Sequence, residues 1–325
     1  MAAIALTGCT SGDGVAATSR PAAPADPLAR QLYVPKDTAA ARQVREWAAD
    51  PSRNADRAVI AAIAARPVAV WLTGEGNGAA RAGRVARAAA RAGRTPVFVA
   101  YGIPRRDCGL YSTGGAADAP AYRAWLSGVS AAIGARPAIV IVEPDASSQA
   151  ASGTCAGQAP AERLALLRDA VTILGRGART RVYLDAGHAN WVSPARLAPA
   201  LRRAGIAGAD GFAVNVSNFQ TTARSIAYGE RLSRLLGGAH FVIDTSRNGN
   251  GPYESGDAED WCNPPGRALG RTPTTRTGRA RVDAYLWVKV PGESDGTCKG
   301  GPAAGTWWPD YALGLARNAG FSPQG

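Results

Sequence analysis

Short apolar runs rich in Val, Ile and aromatic residues alternate along the chain with longer segments in which Ala, Leu and Arg recur at helical spacing. Seven runs can be marked: Val68–Leu72, Pro96–Tyr101, Ala138–Val142, Arg181–Leu184, Gly211–Val216, His240–Ile243 and Ala284–Val290. Helix-patterned segments lie between them at 79–93, 121–134, 161–174, 193–205 and 223–237. Strand and helix in repetition is the rhythm of a parallel sheet, whose strands are covered on both faces and so need no polar alternation. Seven strands suit either an α/β barrel or an open doubly wound sheet, and periodicity does not choose between them.

The residues that follow each run carry more. Nearly every run ends in Gly, polar residues or carboxylates: TGEGNG, GIPRRDCG, EPD, DAGH, SN, DTSRNGNG and PGESDG. In parallel α/β folds the C-terminal strand ends gather on one face, where active sites are built. Asp107, Asp145, Asp185 and Asp295 are therefore expected to share one mouth. One Asp at a strand end more often caps a helix or pairs with a cation; four in one chain point to chemistry. Glu143, two residues before Asp145, stays open between a partner in that network and a structural anchor. The stretch from Thr245 to Asp283 lacks helical periodicity, and so long a loop in a compact domain is usually functional.

With 325 residues, 46% of them hydrophobic, the chain can bury one large core, and a single catalytic-sized domain is expected. No apolar run reaches the roughly 18 residues of a membrane helix. The net charge of +12 comes almost wholly from scattered Arg, without basic runs or interleaved aromatics, which argues against nucleic acid as a partner. The five cysteines form no CxxC and no His-rich cluster, so neither a metal site nor a cofactor is expected, and disulfides are. Leu6-Thr7-Gly8-Cys9 looks like a bacterial lipobox, which sets Cys9 apart as a lipid-anchor candidate and leaves Cys108, Cys155, Cys262 and Cys298 for two bridges. The organisation expected is a signal remnant at 1–9, a flexible Pro-containing tether at 10–32 and a catalytic domain at 33–325 of an exported or envelope-bound monomer.

Several carboxylates around one cleft push their proton affinities apart, so that one stays protonated as an acid while another is ionised as a base. That is what glycoside hydrolysis requires, and flat indole rings give sugar rings a surface to stack on. Trp71, Trp191, Trp261 and Trp287 lie in or beside strand-end segments, with Trp287 the one expected to be half core; Trp125, in a helix segment, is assigned to packing.

The blocks YGIPRRDCGLYSTGGA, VIVEPDA, YLDAGHANWVSP, VIDTSRNGNGP and WVKVPGESDGTC, in this order from about Tyr33 onward, resemble glycoside hydrolase family 6, the inverting endo-β-1,4-glucanases and cellobiohydrolases. The resemblance implies a distorted seven-stranded parallel β/α barrel with a cleft across the strand ends. It implies Asp145 as general acid, Asp107 as the group that raises the acid's proton affinity and relays a proton from water, and Asp295 as the candidate base. Asp185 would support the charge network and Tyr101 would crowd the sugar at the cleavage point. Lys289 and Glu293 match sugar-binding positions, Trp71 and Trp191 stacking platforms, with His188, Asn218 and Trp261 as neighbours. The implied disulfides are Cys108 with Cys155 and Cys262 with Cys298.

Where family members often read SNYRWT, this chain has SNFQTT from Ser217 to Thr222, losing a Tyr hydroxyl and, at Thr221, a Trp platform. A short loop after Asp145 is expected to leave an open cleft, hence internal cleavage of a β-glucan rather than the cellobiohydrolase mode. Two other readings compete. TGEGNG resembles a dinucleotide fingerprint, but no acidic residue ends the next strand, which weakens a Rossmann oxidoreductase. An exported glycan-binding protein with a decayed cleft would keep the fold and lose the chemistry.

Overall fold

The structure, a computed structural model, describes Met1 and residues 26–321 apart from Glu75 and Ala156. Cys9 and most of the expected signal and tether lie outside the described residues. Seven strands form one sheet in chain order, every neighbouring pair parallel: β1 (Val70–Leu72), β2 (Val97–Ala100), β3 (Ala138–Val142), β4 (Thr180–Asp185), β5 (Gly211–Val214), β6 (His240–Asp244) and β7 (Val282–Leu286). Helices α1 (Ala39–Glu46) and α2 (Asn54–Ala64) precede β1. Then come α3 (Gly78–Arg91), α4 (Ala119–Ile133), α5 (Ala146–Ser152), α6 (Pro160–Leu174), α7 (Pro194–Arg203), α8 (Thr222–Leu235) and, after β7, α9 (Pro309–Asn318). All five helix-patterned segments are found, while α1, α2, α5 and α9 are additional.

The sheet curls into a half-barrel. No ladder joins β1 to β7; the seam is bridged by the Ala69 N–H to the Trp287 carbonyl (3.0 Å) and by the Trp71 indole N–H to the Val288 carbonyl (2.8 Å). This is the distorted barrel of the two architectures considered.

The twofold period of a strand explains the unbroken apolar runs. In β3, Ile139 and Ile141 face the barrel interior with Val99, Tyr183, Val242 and Leu286. Ala138, Val140 and Val142 point the other way and pack with Tyr122, Leu126, Leu164 and Leu167 of the helical layer. Side chains therefore enter hydrocarbon on both faces, and every residue of β3 is buried.

Several boundaries differ from the sequence reading, each for a physical reason. Residues 26–32 are not part of a free tether. The Asp26 carboxylate pairs with Arg181 (2.8 Å), Thr95 Oγ1 donates to the Pro27 carbonyl (2.8 Å), and Leu32, 5% exposed, pairs beside Thr95. The chain after Asp145 is not a loop but enters α5 at once. The run through Val216 ends its ladder at Val214 because Asn215 takes a left-handed φ of 68°. The run to Val290 ends at Leu286 because the Val288 and Lys289 N–H groups turn to the Asp244 carboxylate instead of a neighbouring strand. Trp287 is entirely core, 1% exposed, its indole N–H on the Arg271 carbonyl (3.0 Å). Trp125 packs against the hydrophobic core, as assigned.

Both bridges are formed, Cys108 with Cys155 and Cys262 with Cys298. The second clamps the long 245–281 connection, which has no helix of its own, to the turn after β7.

Candidate active site

At the end of β3 the backbone turns sharply. Glu143 (φ 49°) and Asp145 (φ 72°) both take left-handed conformations around Pro144, which has no N–H to extend the ladder. The Glu143 carboxylate fixes the turn from below: it accepts the Gly102 N–H (3.0 and 3.1 Å), the Ile103 N–H (3.1 Å) and the Tyr122 hydroxyl (2.9 Å), and it is fully buried. Glu143 is thus the structural anchor of the two roles left open. Burial pushes its carboxyl up to about 7 against the pull of those donors.

Asp145 stands at the N-terminus of α5 without capping it; its side chain makes no cap hydrogen bond. The chain positions it through its backbone, the Asp145 N–H donating to Asp185 Oδ1 (2.9 Å). The same Asp185 oxygen accepts the Gly187 N–H (3.0 Å), while Asp185 Oδ2 is buried with no hydrogen-bond partner. Desolvation, then the negative charges of Asp185 and Asp107, raises the Asp145 carboxyl well above the usual carboxylate range. Asp185 is itself pushed up to about 7, first by burial. The buried Asp185 and the half-buried Asp145 hold on to protons because their ionised forms are poorly solvated and the second charge repels the first.

Asp107 sits in a short turn after β2, with Arg105, Asp107 and Cys108 all at positive φ. Arg106 splints this loop, its guanidinium donating to the carbonyls of Thr73 (2.6 Å), Tyr101 (3.1 Å), Ser112 (2.7 Å) and Thr113 (3.2 Å). The Cys108–Cys155 bridge ties it to the segment after α5. The Asp107 carboxylate accepts the Ser112 N–H (2.7 Å), and burial raises its proton affinity despite nearby Arg106 and Arg163.

Asp295 has the opposite environment. Its oxygens take Arg247 Nη1 (2.8 Å), Lys289 Nζ (3.3 Å) and the Asn263 N–H (3.1 Å). Burial pushes this carboxyl up, but the two cations and the hydrogen bonds outweigh it and hold it below the usual range. Arg247 is wholly buried, donates also to the Ser217 carbonyl (2.6 Å) and lies 4.4 Å over the Phe219 ring.

Asp107, Asp145 and Asp295 border a cleft of about 1250 Å³. Of the expected site residues, Asp107, Asp145, Asp295, Tyr101, Trp71, His188, Trp191, Asn218, Trp261 and Lys289 line it. Asp185 lies behind Asp145 at 1% exposure, in contact through the backbone rather than at the wall. Glu293 does not line the cleft; it follows a tight turn closed by its N–H on the Val290 carbonyl (3.1 Å) and pairs with Trp307. Tyr101 and Trp71 meet edge to face at 5.2 Å, and His188 tilts against Trp191 at 5.7 Å. Burial lowers His188 to about 4, so its imidazole is neutral near pH 7. Trp261, 36% exposed, stands at the rim beside Tyr111 (6.1 Å). At the altered SNFQTT stretch, Phe219 is the surface under Arg247, and Thr221 caps α8 through its hydroxyl on the Arg224 N–H (3.2 Å).

Sequence reasoning passed over Arg106, Asp244 and Arg247. Asp244 ends β6 and accepts four backbone N–H groups, from Ser217, Ser246, Val288 and Lys289, at 2.9–3.2 Å, binding three strand-end loops into one wall. Its place as one more strand-end carboxylate, and that of Arg247 three residues on, were the available signals.

A curled parallel sheet whose C-terminal strand ends surround a cleft of buried carboxyls and indole rings is the architecture of a glycoside hydrolase. The chain belongs to the glycosyl hydrolases family 6, whose family model matches residues 28–319. It is 47% identical over 279 residues to endoglucanase A of Cellulomonas fimi, covering 85% of this chain and 59% of that relative. Endoglucanase 1 of Streptomyces halstedii is 42% identical, with 91% of this chain and 92% of that one covered. Among solved structures, the endoglucanase Cel6 of Mycobacterium tuberculosis, determined with a thio-linked methyl-cellobiosyl cellobioside, superposes with a TM-score of 0.84 at 44% identity, covering 91% of this chain and all of that one.

Proposed function

We propose that this protein is an inverting endo-β-1,4-glucanase. The observation that carries the reading is the Asp145 carboxyl: it lines the cleft, makes no hydrogen bond to other described residues, and has its proton affinity raised by burial and by Asp185 and Asp107. It gives its proton to the glycosidic oxygen as the bond to the anomeric carbon breaks. Water attacks that carbon from the opposite face, so the new reducing end is the α-anomer. The base role expected of Asp295 moves, in this proposal, to Asp107. A carboxylate matched by Arg247, Lys289 and the Asn263 N–H is a weak proton acceptor, whereas Asp107 accepts the Ser112 N–H and has a raised affinity. Asp107 would receive the proton through intervening water, and Asp295 would hold Arg247 and Lys289 in the wall.

Tyr101 beside Trp71 crowds the sugar at the cleavage point, and Trp191 and Trp261 stack flanking rings. Internal cleavage is supported by the segment between α5 and α6, which is short and bridged back to Cys108. The names of the endoglucanase relatives support it further. Export, with Cys9 as the lipid-bearing residue, belongs to the same reading and is supported by the two disulfides and the Leu-Thr-Gly-Cys stretch.

The test is to incubate the protein and Asp145→Ala with soluble cello-oligosaccharides and a mixed-linkage glucan and follow the product anomer by NMR. Initial α-product from the native protein alone is expected. Equal inactivity of the two proteins, or initial β-product, overturns the reading.

A further inference from the structure

Gln149 lies on α5, one turn after Asp145, whose carbonyl accepts the Gln149 backbone N–H (2.8 Å). It is 4% exposed, yet it lines the cleft. Its side-chain Oε1 accepts Nη2 of Arg163 at 2.7 Å. Arg163 comes from α6 and is 1% exposed; its Nη1 donates to Gln158 Oε1 (2.7 Å) and the Arg105 carbonyl (3.5 Å), and its Nε has no partner. It pairs directly with no carboxylate among the described residues.

A guanidinium only donates, so the atom of Gln149 that faces it must be the oxygen. That fixes which way the carboxamide points. Nε2, with two hydrogens to give, is turned away from Arg163, and it makes no hydrogen bond to any described residue. Nε2 is not among the sealed, partnerless atoms, so it opens onto the cleft, where a hydroxyl-bearing ligand can take its hydrogens. A buried cation with no ionic partner is also costly to keep, and here its contacts go to two carboxamides and one carbonyl.

Resting on the activity proposed above, we propose that Gln149 is a substrate-binding residue, its carboxamide locked by Arg163 so that Nε2 donates to hydroxyl oxygens of the bound β-glucan beside Asp145. Arg163 is a positioning residue. It touches no sugar and acts by forbidding the flipped amide.

Two measurements test this. In the Asp145→Asn protein, saturated with cellotetraose, the side-chain 15N–1H2 resonances of Gln149, assigned through the backbone, are expected to shift and to exchange more slowly. Gln149→Glu keeps the shape and the contact to Arg163 but has no hydrogen to donate. Its kcat/KM on cello-oligosaccharides is expected to fall about tenfold, mainly through KM, with thermal stability preserved. Unmoved Gln149 resonances in a saturated protein, or an unchanged kcat/KM in Gln149→Glu, overturn the proposal and leave the glucanase reading standing. Failure of the Asp145→Asn protein to bind any cello-oligosaccharide would remove both.

Discussion

The backbone N–H of Asp145 rests on one oxygen of Asp185, and the other oxygen of Asp185 is sealed from solvent with no donor to meet it. The pair therefore favours protons. Asp185 binds its proton up to about pH 7 in the folded protein, against about 4 in the unfolded chain. The stability gained from that protonation is complete below about pH 4 and is lost as pH rises through about 7. Asp185→Asn keeps an oxygen for the two backbone N–H groups and removes the titration. The variant is expected to match the native protein near pH 4 and to exceed it above pH 7, by about 4 kcal/mol, in denaturant melts across that range. Asp145 also loses a repelling neighbour, so the alkaline limb of kcat/KM should move to lower pH.

Glu143 offers a different outcome, because its carboxylate is matched by donors on every side. Glu143→Gln turns an amide toward groups that themselves donate. A loss of about 2–4 kcal/mol in urea unfolding is expected. Tyr122→Phe, which removes one of those bonds, should cost about 1 kcal/mol.

Arg247→Met leaves Asp295 with Lys289 as its one cation and is expected to cost about 3–5 kcal/mol near neutral pH. The native Asp295 carboxyl is held below its ordinary range, so its contribution is present above about pH 4 and disappears as pH falls through the folded value. The gap between native protein and variant should therefore narrow on acidification. A gap that is constant with pH would mean that Arg247 acts through packing on Phe219 and not through charge.

The Cys262–Cys298 bridge closes a loop with a sequence separation of 36. Replacing both cysteines by Ser should cost about 3–4 kcal/mol by the chain-entropy relation. Amide hydrogen exchange is expected to accelerate across 245–281, and KM should rise because Trp261 loses its support.

All seven strands were legible because apolar runs between helical segments leave few alternatives, and Asp145 because it interrupts the most continuous of them. The ends of β5 and β7 were not. Val216, Val288 and Val290 are buried beyond their ladders, and a sequence registers burial but not the partner of a backbone N–H. Helix α5, ASSQAAS, carries small and polar residues without an apolar stripe, yet Ala146 to Ala150 are all buried under the site. Glu293 resembled a sugar ligand by its neighbours in sequence; it is absent from the cleft wall, yet its carboxyl lies in the field of Lys289, which lines it. Arg163 and Gln149 meet across 14 positions, a contact no local pattern announces.

The seam between Ala69 and Trp287 bears on how the molecule comes into being. Spatial order in the sheet repeats chain order, so each strand emerging from the ribosome finds its partner already made, with little loop entropy to overcome. Closure is the exception, since Trp71 must wait for Val288, and α2 for α9. Lys289 and Asp295 also belong to that final stretch. A nascent chain can thus build most of its scaffold during synthesis, but it acquires a complete cleft only when the stretch from Val288 through α9 has been translated and docked against β1 and α2.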